Sequence, residues 1–313
     1  MGKNILVIGG TRYFGKLLVQ RLLRDGHRVT IATRGQAPDP FGKRIGRIRV
    51  DRGNEPAMRA AFAKVFANTP GYDIVYDQMC YSPLDAAISA RVFSGKVERY
   101  IMASSVDIYR PLLDSQDAPF AESAIEVMAQ PIDVEYPWHD QRLANQSYVT
   151  GKLQAEAYFY RDGSLPVVTV RIGHVLAGTE DFTARLAHYV ELVRLGAPLR
   201  YSNAAAATSF ISAPAIADFL AWTGAQEFTG PINAACDGGL SAFDIYQRVG
   251  MALDEPIKAL PASKPAKPGE LSPFDLPSQM LADTSRAAAL GYRFGHSDEW
   301  LDTLIRQHDL SYA

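Results

Sequence analysis

The chain has 313 residues, of which 47% are hydrophobic and 21% charged, with a formal net charge of −2. That length forms one large or two small domains with a sizeable core, and the balanced charge argues against a dedicated nucleic-acid binder, which needs a basic excess. Two cysteines far apart encode neither a disulfide framework nor a zinc site. With no apolar run near the ~20 residues of a membrane span and no signal-peptide layout after Met1, a soluble cytoplasmic protein is expected.

The first half alternates strand-like and helix-like segments. Ile5–Ile8 is wholly apolar, as in a strand buried on both faces. It breaks at Gly9-Gly10-Thr11, and a helix follows with Phe14, Leu17, Leu18 and Leu22 on one face, ending at Asp25-Gly26. Further strands are expected at 28–33, 45–50, 74–76, 100–103 and 167–172, with helices at 58–66, 85–92 and 148–159. This rhythm predicts an α/β fold, a Rossmann-type doubly wound parallel sheet. Beyond it, helices are expected at 182–195, 241–253, 281–290 and 297–307. Pro256–Pro277, with six prolines, predicts a long surface loop, and the Ala204–Ala207 tract a loop or helix start. The simplest partition is a dinucleotide-binding domain over 1–175 and a smaller α/β substrate domain over 176–313, some segments of which return to the sheet.

Gly9 to Gly15 sits between the first strand and helix, the context that gives a glycine pattern meaning. Gly9 permits the tight turn, Gly15 permits close packing on the sheet, and the helix N-terminus presents amides and its dipole to a pyrophosphate. Thr11, Arg12, Tyr13 and Phe14 belong to the same turn, and Arg12 stands where a middle glycine is usual. Strand two ends Thr33-Arg34-Gly35 without the acid that binds an NAD ribose. Arg34 and Arg12 suit a 2′-phosphate instead, so NADP(H) is favoured, with NAD(H) left open. Asp51 stands where an adenine amino group is expected, or is a turn aspartate. Met79 and Ile172, at the ends of strands four and six, complete the expected cofactor contacts.

Tyr148-Val149-Thr150-Gly151-Lys152 places a phenol and an ammonium on one helical face. A nearby ammonium eases proton exchange by the phenol near neutral pH. Ser105, at the C-terminal edge of strand five, faces the cofactor crevice, where its hydroxyl can bond a substrate oxygen.

These elements resemble the extended short-chain dehydrogenase/reductase superfamily, the NAD-dependent epimerase/dehydratase family, over nearly the whole chain. The match runs through Gly9–Gly15, Asp73–Cys80, Ser104–Tyr109, Tyr148 with Lys152, Arg171–Val175 and Pro231-Ile232-Asn233. The resemblance implies Tyr148 as general acid/base, Lys152 as the group that holds the nicotinamide ribose and tunes Tyr148, and Ser105 as the polariser of the substrate oxygen. It implies hydride transfer at a hydroxyl or keto carbon of a small, sugar-like substrate. It also implies a homodimer through a helix bundle, which apolar positions in 85–92 and 153–159 permit.

The Gly-Gly-Thr-Arg turn is similar to an atypical subgroup that includes chloroplast stem-loop-binding proteins. Thr208 stands near the place where nucleotide-sugar members carry an arginine, for which Arg200 or Arg185 is a substitute. Asp107 lies two residues beyond Ser105, without the adjacent acids of a dehydratase. Tyr136 to Asp140 forms an aromatic and ionisable cluster before the catalytic helix, read as pocket lining or as a surface excursion anchored by Trp138. His174 and Arg185 are the substrate-side candidates, with a packed histidine as the alternative for His174. His27, His188, His296 and His308 show no metal-ligand spacing, and Cys80 reads as a buried small hydrophobe. Against the enzyme stand a non-catalytic NADP-binding scaffold and an RNA-binding member, the latter drawing on Arg44, Arg47, Arg49 and Arg52.

Overall fold

A computed structural model describes residues 2–115, 118–263, 266, 267 and 269–310. Its central sheet has seven strands: β1 (Asn4–Ile8), β2 (Arg28–Thr33), β3 (Gly46–Arg49), β4 (Tyr72–Asp77), β5 (Val97–Ser105), β6 (Val167–Ile172) and, late in the chain, β10 (Gly230–Ala234). They lie in the order β10-β6-β5-β4-β1-β2-β3, with β1/β2, β1/β4, β2/β3 and β4/β5 parallel. Strand order thus reverses between β1 and β4, the switch point at which doubly wound sheets open a ligand crevice beyond their strand ends.

The helices α1 (Tyr13–Arg24), α2 (Glu55–Phe66), α3 (Pro83–Phe93) and α4 (Ala144–Asp162) follow the expected alternation. Local chemistry sets their ends. The Asn54 side chain caps α2 at the Ala57 amide, Ser82 caps α3 at Asp85, and Gly163 takes a left-handed φ of 64° to close α4. One apolar core includes Leu6, Ile8, Phe62, Val75, Phe93, Tyr100 and Phe159.

The chain divides into two units. Residues 1–108, 122–171 and 217–232 form the first; 109–121, 172–216 and 233–313 form the second. In the second, α5 (Arg185–Arg194), α7 (Ala242–Leu253) and α9 (Leu301–Asp309) share a core that contains Tyr189, Phe210, Tyr246 and Phe274. Two short parallel pairs complete it, β7 (His174–Leu176) with β9 (Phe210–Ser212) and β8 (Leu199–Tyr201) with β11 (Ala259–Pro261).

Four expectations need correction. Helix α6 (Ala213–Gly224) has no counterpart in the periodicity, because it is apolar nearly all round and so lacks a polar face to mark it. The expected helix at 281–290 is a single short α8 (Ser285–Ala289), and Ser297–Glu299 forms a 3-10 turn ahead of α9. The proline-rich loop contributes β11; its Lys264, Pro265 and Pro268 lie outside the described residues. The Ala204–Ala207 tract is a loop that opens on a turn, the first of its two expected forms.

The segments named for the expected homodimer are largely covered within the chain. Nine of the eleven α3 residues are buried within the chain. Residues 127–129 pack on α4, where Arg161 donates to the Met128 carbonyl, and Gln154 accepts from the Asp133 amide.

Candidate active site

Gly9 and Gly10 turn out of β1 with φ of 102° and 86°, conformations that L side chains rarely adopt. A Cβ on Gly15 would collide with the Gln78 side-chain oxygen, and one on Gly9 would fall 3.3 Å from Met79 Cγ. Gln78 and Met79, at the end of β4, therefore bring Gly9 and Gly15 together across the switch point. Gln78 escaped the sequence reading; its Nε2 is buried with no hydrogen-bond partner among the described residues. Helix α1 differs from α2 and α3 in that no side chain caps its first turn and no acid lies in it, which leaves its positive end for an anion. Tyr13 enters the helix at φ 53°, and its ring lies 5.6 Å from that of Phe14.

At the end of β2, Arg34 is exposed, and neither it nor Arg12 pairs with a carboxylate among the described residues. Arg49 belongs with them: its Nε donates to the Arg34 carbonyl at 3.1 Å and its chain lies against Gly35. One Asp51 carboxylate oxygen accepts from the Gly53 amide at 3.0 Å, the bond of a turn aspartate. Ile172 is buried at the end of β6.

Lys152 is 2% exposed, and its ammonium donates to the carbonyl oxygens of Cys80 at 2.8 Å and Ala103 at 2.6 Å. It thereby ties α4 to the C-terminal ends of β4 and β5. Tyr148 shares its helical face, with Nζ 5.9 Å from the ring centroid. Burial lowers the Lys152 ammonium to about 8, against the opposing pull of nearby acidic groups. Ser105 Oγ accepts from the Asp107 amide at 3.1 Å and donates toward its carboxylate at 3.4 Å.

Gly151 explains how α4 comes so close. A Cβ there would collide with the Tyr81 carbonyl and lie 3.2 Å from the Trp138 ring. Gly151→Ala is expected to lower stability by roughly 1–3 kcal/mol although alanine is the better helix former. A thermal melt above that of the parent would refute the close approach.

Behind the Cys80–Tyr81 turn lies a buried charge network that the sequence reading missed. Arg52 pairs with Asp77 and Asp85 and donates to Ser89 Oγ at 2.9 Å, while Tyr100 donates to Asp77 at 2.6 Å. Asp85 accepts from the Tyr81 amide at 2.9 Å and meets half-exposed His139 Nε2 at 3.1 Å. Burial alone would raise the Asp85 carboxyl, but Arg52, His139 and the Tyr81 amide together hold it at about 2. The bond to Asp85 in turn raises the His139 imidazole above its ordinary value, against burial.

The Asp85 contribution is therefore complete above an unfolded value of ~3.9 and lost as pH falls through about 2. That of His139 is complete below an unfolded value of ~6.5 and lost as pH rises through its raised folded value. His139→Asn should thus destabilise most near pH ~5 and least near pH ~8.5 in urea titrations. A pH-independent gap would contradict the pairing. Within residues 136–140, Trp138 Nε1 donates to the Asp133 carbonyl at 2.6 Å and its ring seats on α4, so Trp138 anchors the segment.

In the second unit, His174 packs among rings, 5.5 Å from Phe210 and 5.1 Å from Phe274. Arg185 lies over the other candidate's neighbour, 4.9 Å from the Phe274 centroid. Thr208 is fully buried and donates to the Met280 carbonyl at 3.1 Å. The four arginines of the RNA reading do not form one face, because Arg52 is buried and Arg47 pairs with Asp39 at 2.6 Å. Among the described residues no helix is long and apolar enough to cross a membrane, and no His, Cys, Asp and Glu cluster is arranged to hold a metal.

The model of the NAD-dependent epimerase/dehydratase family matches residues 5–194. The chloroplast stem-loop binding protein of 41 kDa b from Arabidopsis thaliana is 30% identical over 122 residues, which cover 34% of this chain and only 30% of that relative. Among solved structures, the chain is similar to UDP-glucose 4-epimerase of Thermus thermophilus in complex with NAD, with a TM-score of 0.71 and 18% identity over 97% of this chain and 98% of that one. It is also similar to UDP-N-acetylglucosamine 4-epimerase of Methanobrevibacter ruminantium in complex with UDP-N-acetylmuramic acid, with a TM-score of 0.69 and 18% identity over 100% and 99% of the two chains. At these identities the likeness to the solved structures is one of fold.

Proposed function

The chain belongs to the NAD-dependent epimerase/dehydratase family, and from that premise we propose an NADP(H)-using oxidoreductase or epimerase acting on a hydroxyl or keto carbon of a small, sugar-like substrate. Membership makes it a nicotinamide-using enzyme; the NADP preference, the residue roles and the substrate class are our reading. The unit that holds the glycine turn takes the cofactor, and the other takes the substrate. The observation that carries the reading is the buried Lys152 ammonium, held at the ends of β4 and β5 on the helical face it shares with Tyr148.

The residues present fit a dinucleotide. The uncapped start of α1, the Gly9-Gly10 turn and Gln78 Nε2, without a partner among the described residues, form a cradle for its diphosphate. Arg34 and Arg12, with Arg49 bracing the Arg34 carbonyl, supply guanidinium groups for a 2′-phosphate. When bound, the nicotinamide supplies the hydride donor or acceptor. Tyr148 exchanges the proton at the substrate oxygen, and Lys152 biases the phenol toward giving it up. Ser105, oriented by the Asp107 amide, donates to that oxygen as its charge changes. Placement in the cytoplasm accords with two buried thiols left unpaired.

The test measures NADPH and NADH affinities together with hydride transfer over a panel of hydroxy and keto sugars. Tyr148→Phe should lower turnover by about 10²–10⁴-fold with NADPH binding intact, and Arg34→Ala should cut the preference for NADPH by about tenfold or more. Full activity in the first variant would sink the mechanism, and a parent preference for NADH would sink the cofactor assignment. Stem-loop binding, named for the Arabidopsis relative, is not adopted, since that match spans a third of this chain and Arg52 is buried.

A further inference from the structure

The turn after β4 brings a second tyrosine to the catalytic helix, and the Tyr-x-x-x-Lys spacing gives it no role. The Tyr81 ring centroid lies 4.2 Å from Lys152 Nζ, nearer than the 5.9 Å of Tyr148, and the two rings are 6.1 Å apart. Lys152 is buried, yet among the described residues its ammonium donates to two neutral carbonyls and pairs with no carboxylate. A buried ammonium without a counter-ion loses its proton readily unless negative potential comes from elsewhere. The face of an aromatic ring supplies such potential without a proton of its own to exchange. The backbone of Tyr81 is fixed for this task, because its amide donates to Asp85 at 2.9 Å and its carbonyl abuts Gly151.

We propose, resting on the reading that Lys152 tunes Tyr148, that Tyr81 is a positioning residue whose ring face keeps the Lys152 ammonium charged and seated beside Tyr148. The other groups that act on Lys152 are Tyr148 on its own helix, Cys80 in the turn, Asp77 at the end of β4, Asp85 on α3 and Arg52 after β3. Burial pushes the Cys80 thiol up, which keeps it neutral. Asp77 and Asp85 are both paired with Arg52, which offsets much of their field. Beside the two carbonyls that accept from Lys152, the Tyr81 face is thus the close side-chain group whose potential is not already spent on a partner.

The test follows Lys152 by NMR in the full chain labelled with ¹³C,¹⁵N-lysine, titrated with pH in the absence of substrate, with Lys152→Met to identify its signal. Replacing Tyr81 by phenylalanine and then by mono-, di- and trifluorophenylalanine keeps the shape while draining the ring face of negative potential. Tyr81→Phe should leave the Lys152 titration in place, each added fluorine should lower it, and Tyr81→Leu should lower it by about 0.5–1 pH unit, a three- to tenfold change. A titration unmoved across the fluorinated series overturns the proposal, whether or not Tyr81→Leu folds. A fully active Tyr148→Phe alongside a shifted Lys152 would instead sink the catalytic reading and leave the role of the ring standing.

Discussion

Glu156→Ala is expected to destabilise the protein by about 3–5 kcal/mol, a fall of roughly 6–20 °C in thermal midpoint. Arg171 and Glu156 are both fully buried. The guanidinium meets the carboxylate through Nη2 at 2.8 Å and Nε at 3.2 Å, and Nη1 donates to the Glu122 carbonyl at 2.9 Å. Ser104 completes the set by donating to Glu156 Oε1 at 2.6 Å. Removing the carboxylate strands a guanidinium that water does not reach, and that desolvation cost, rather than the net worth of the pair, sets the magnitude. Arg171→Met with Glu156→Leu removes both charges at similar volume and should recover most of the loss. A loss under ~1 kcal/mol for Glu156→Ala, or a double variant no better than the single, would refute the account. Because Glu156 lies one helical turn beyond Lys152, the same pair fixes the angle at which α4 presents Tyr148 and Lys152.

The alternation of short apolar runs with helical stripes made the sheet and α1–α4 legible, since burial on both faces leaves a strand no polar positions. The glycine turn and the placement of Tyr148 and Lys152 on one face were legible for a related reason: both depend on spacing within one element. What was not legible depends on side chains that meet from distant parts of the chain. Arg52 reads as one of four surface arginines until the fold places it between Asp77 and Asp85. Tyr81 and Gln78 carry no local signal, because their partners, Lys152 and Gly15, are supplied by other elements. Helix α6 hid for the opposite reason: it has no polar side to set a period.

Arg52→Met joins stability to the site, and its effect should be of the same size, about 3–5 kcal/mol at pH ~8. It leaves Asp77, fully buried, and Asp85, 3% exposed, without their shared cation. With Arg52 gone, the main group holding the Asp85 carboxyl down is lost, and burial carries its folded value up. Groups raised in this way contribute stability below the unfolded value and lose it as pH climbs. The gap between parent and variant should therefore widen from pH ~5 to pH ~8. Asp77→Asn in the Arg52→Met background should recover part of the loss, through the non-additivity expected of groups in contact. Asp77 accepts from the Met79 amide at 2.9 Å and Asp85 from the Tyr81 amide at 2.9 Å, so a loosened network frees the turn whose Cys80 carbonyl holds Lys152. NADPH affinity should then fall in Arg52→Met and return in part with Asp77→Asn. Unchanged affinity with lowered stability would make the network a fold element alone, and a pH-independent gap would show that the carboxylates do not share one cation.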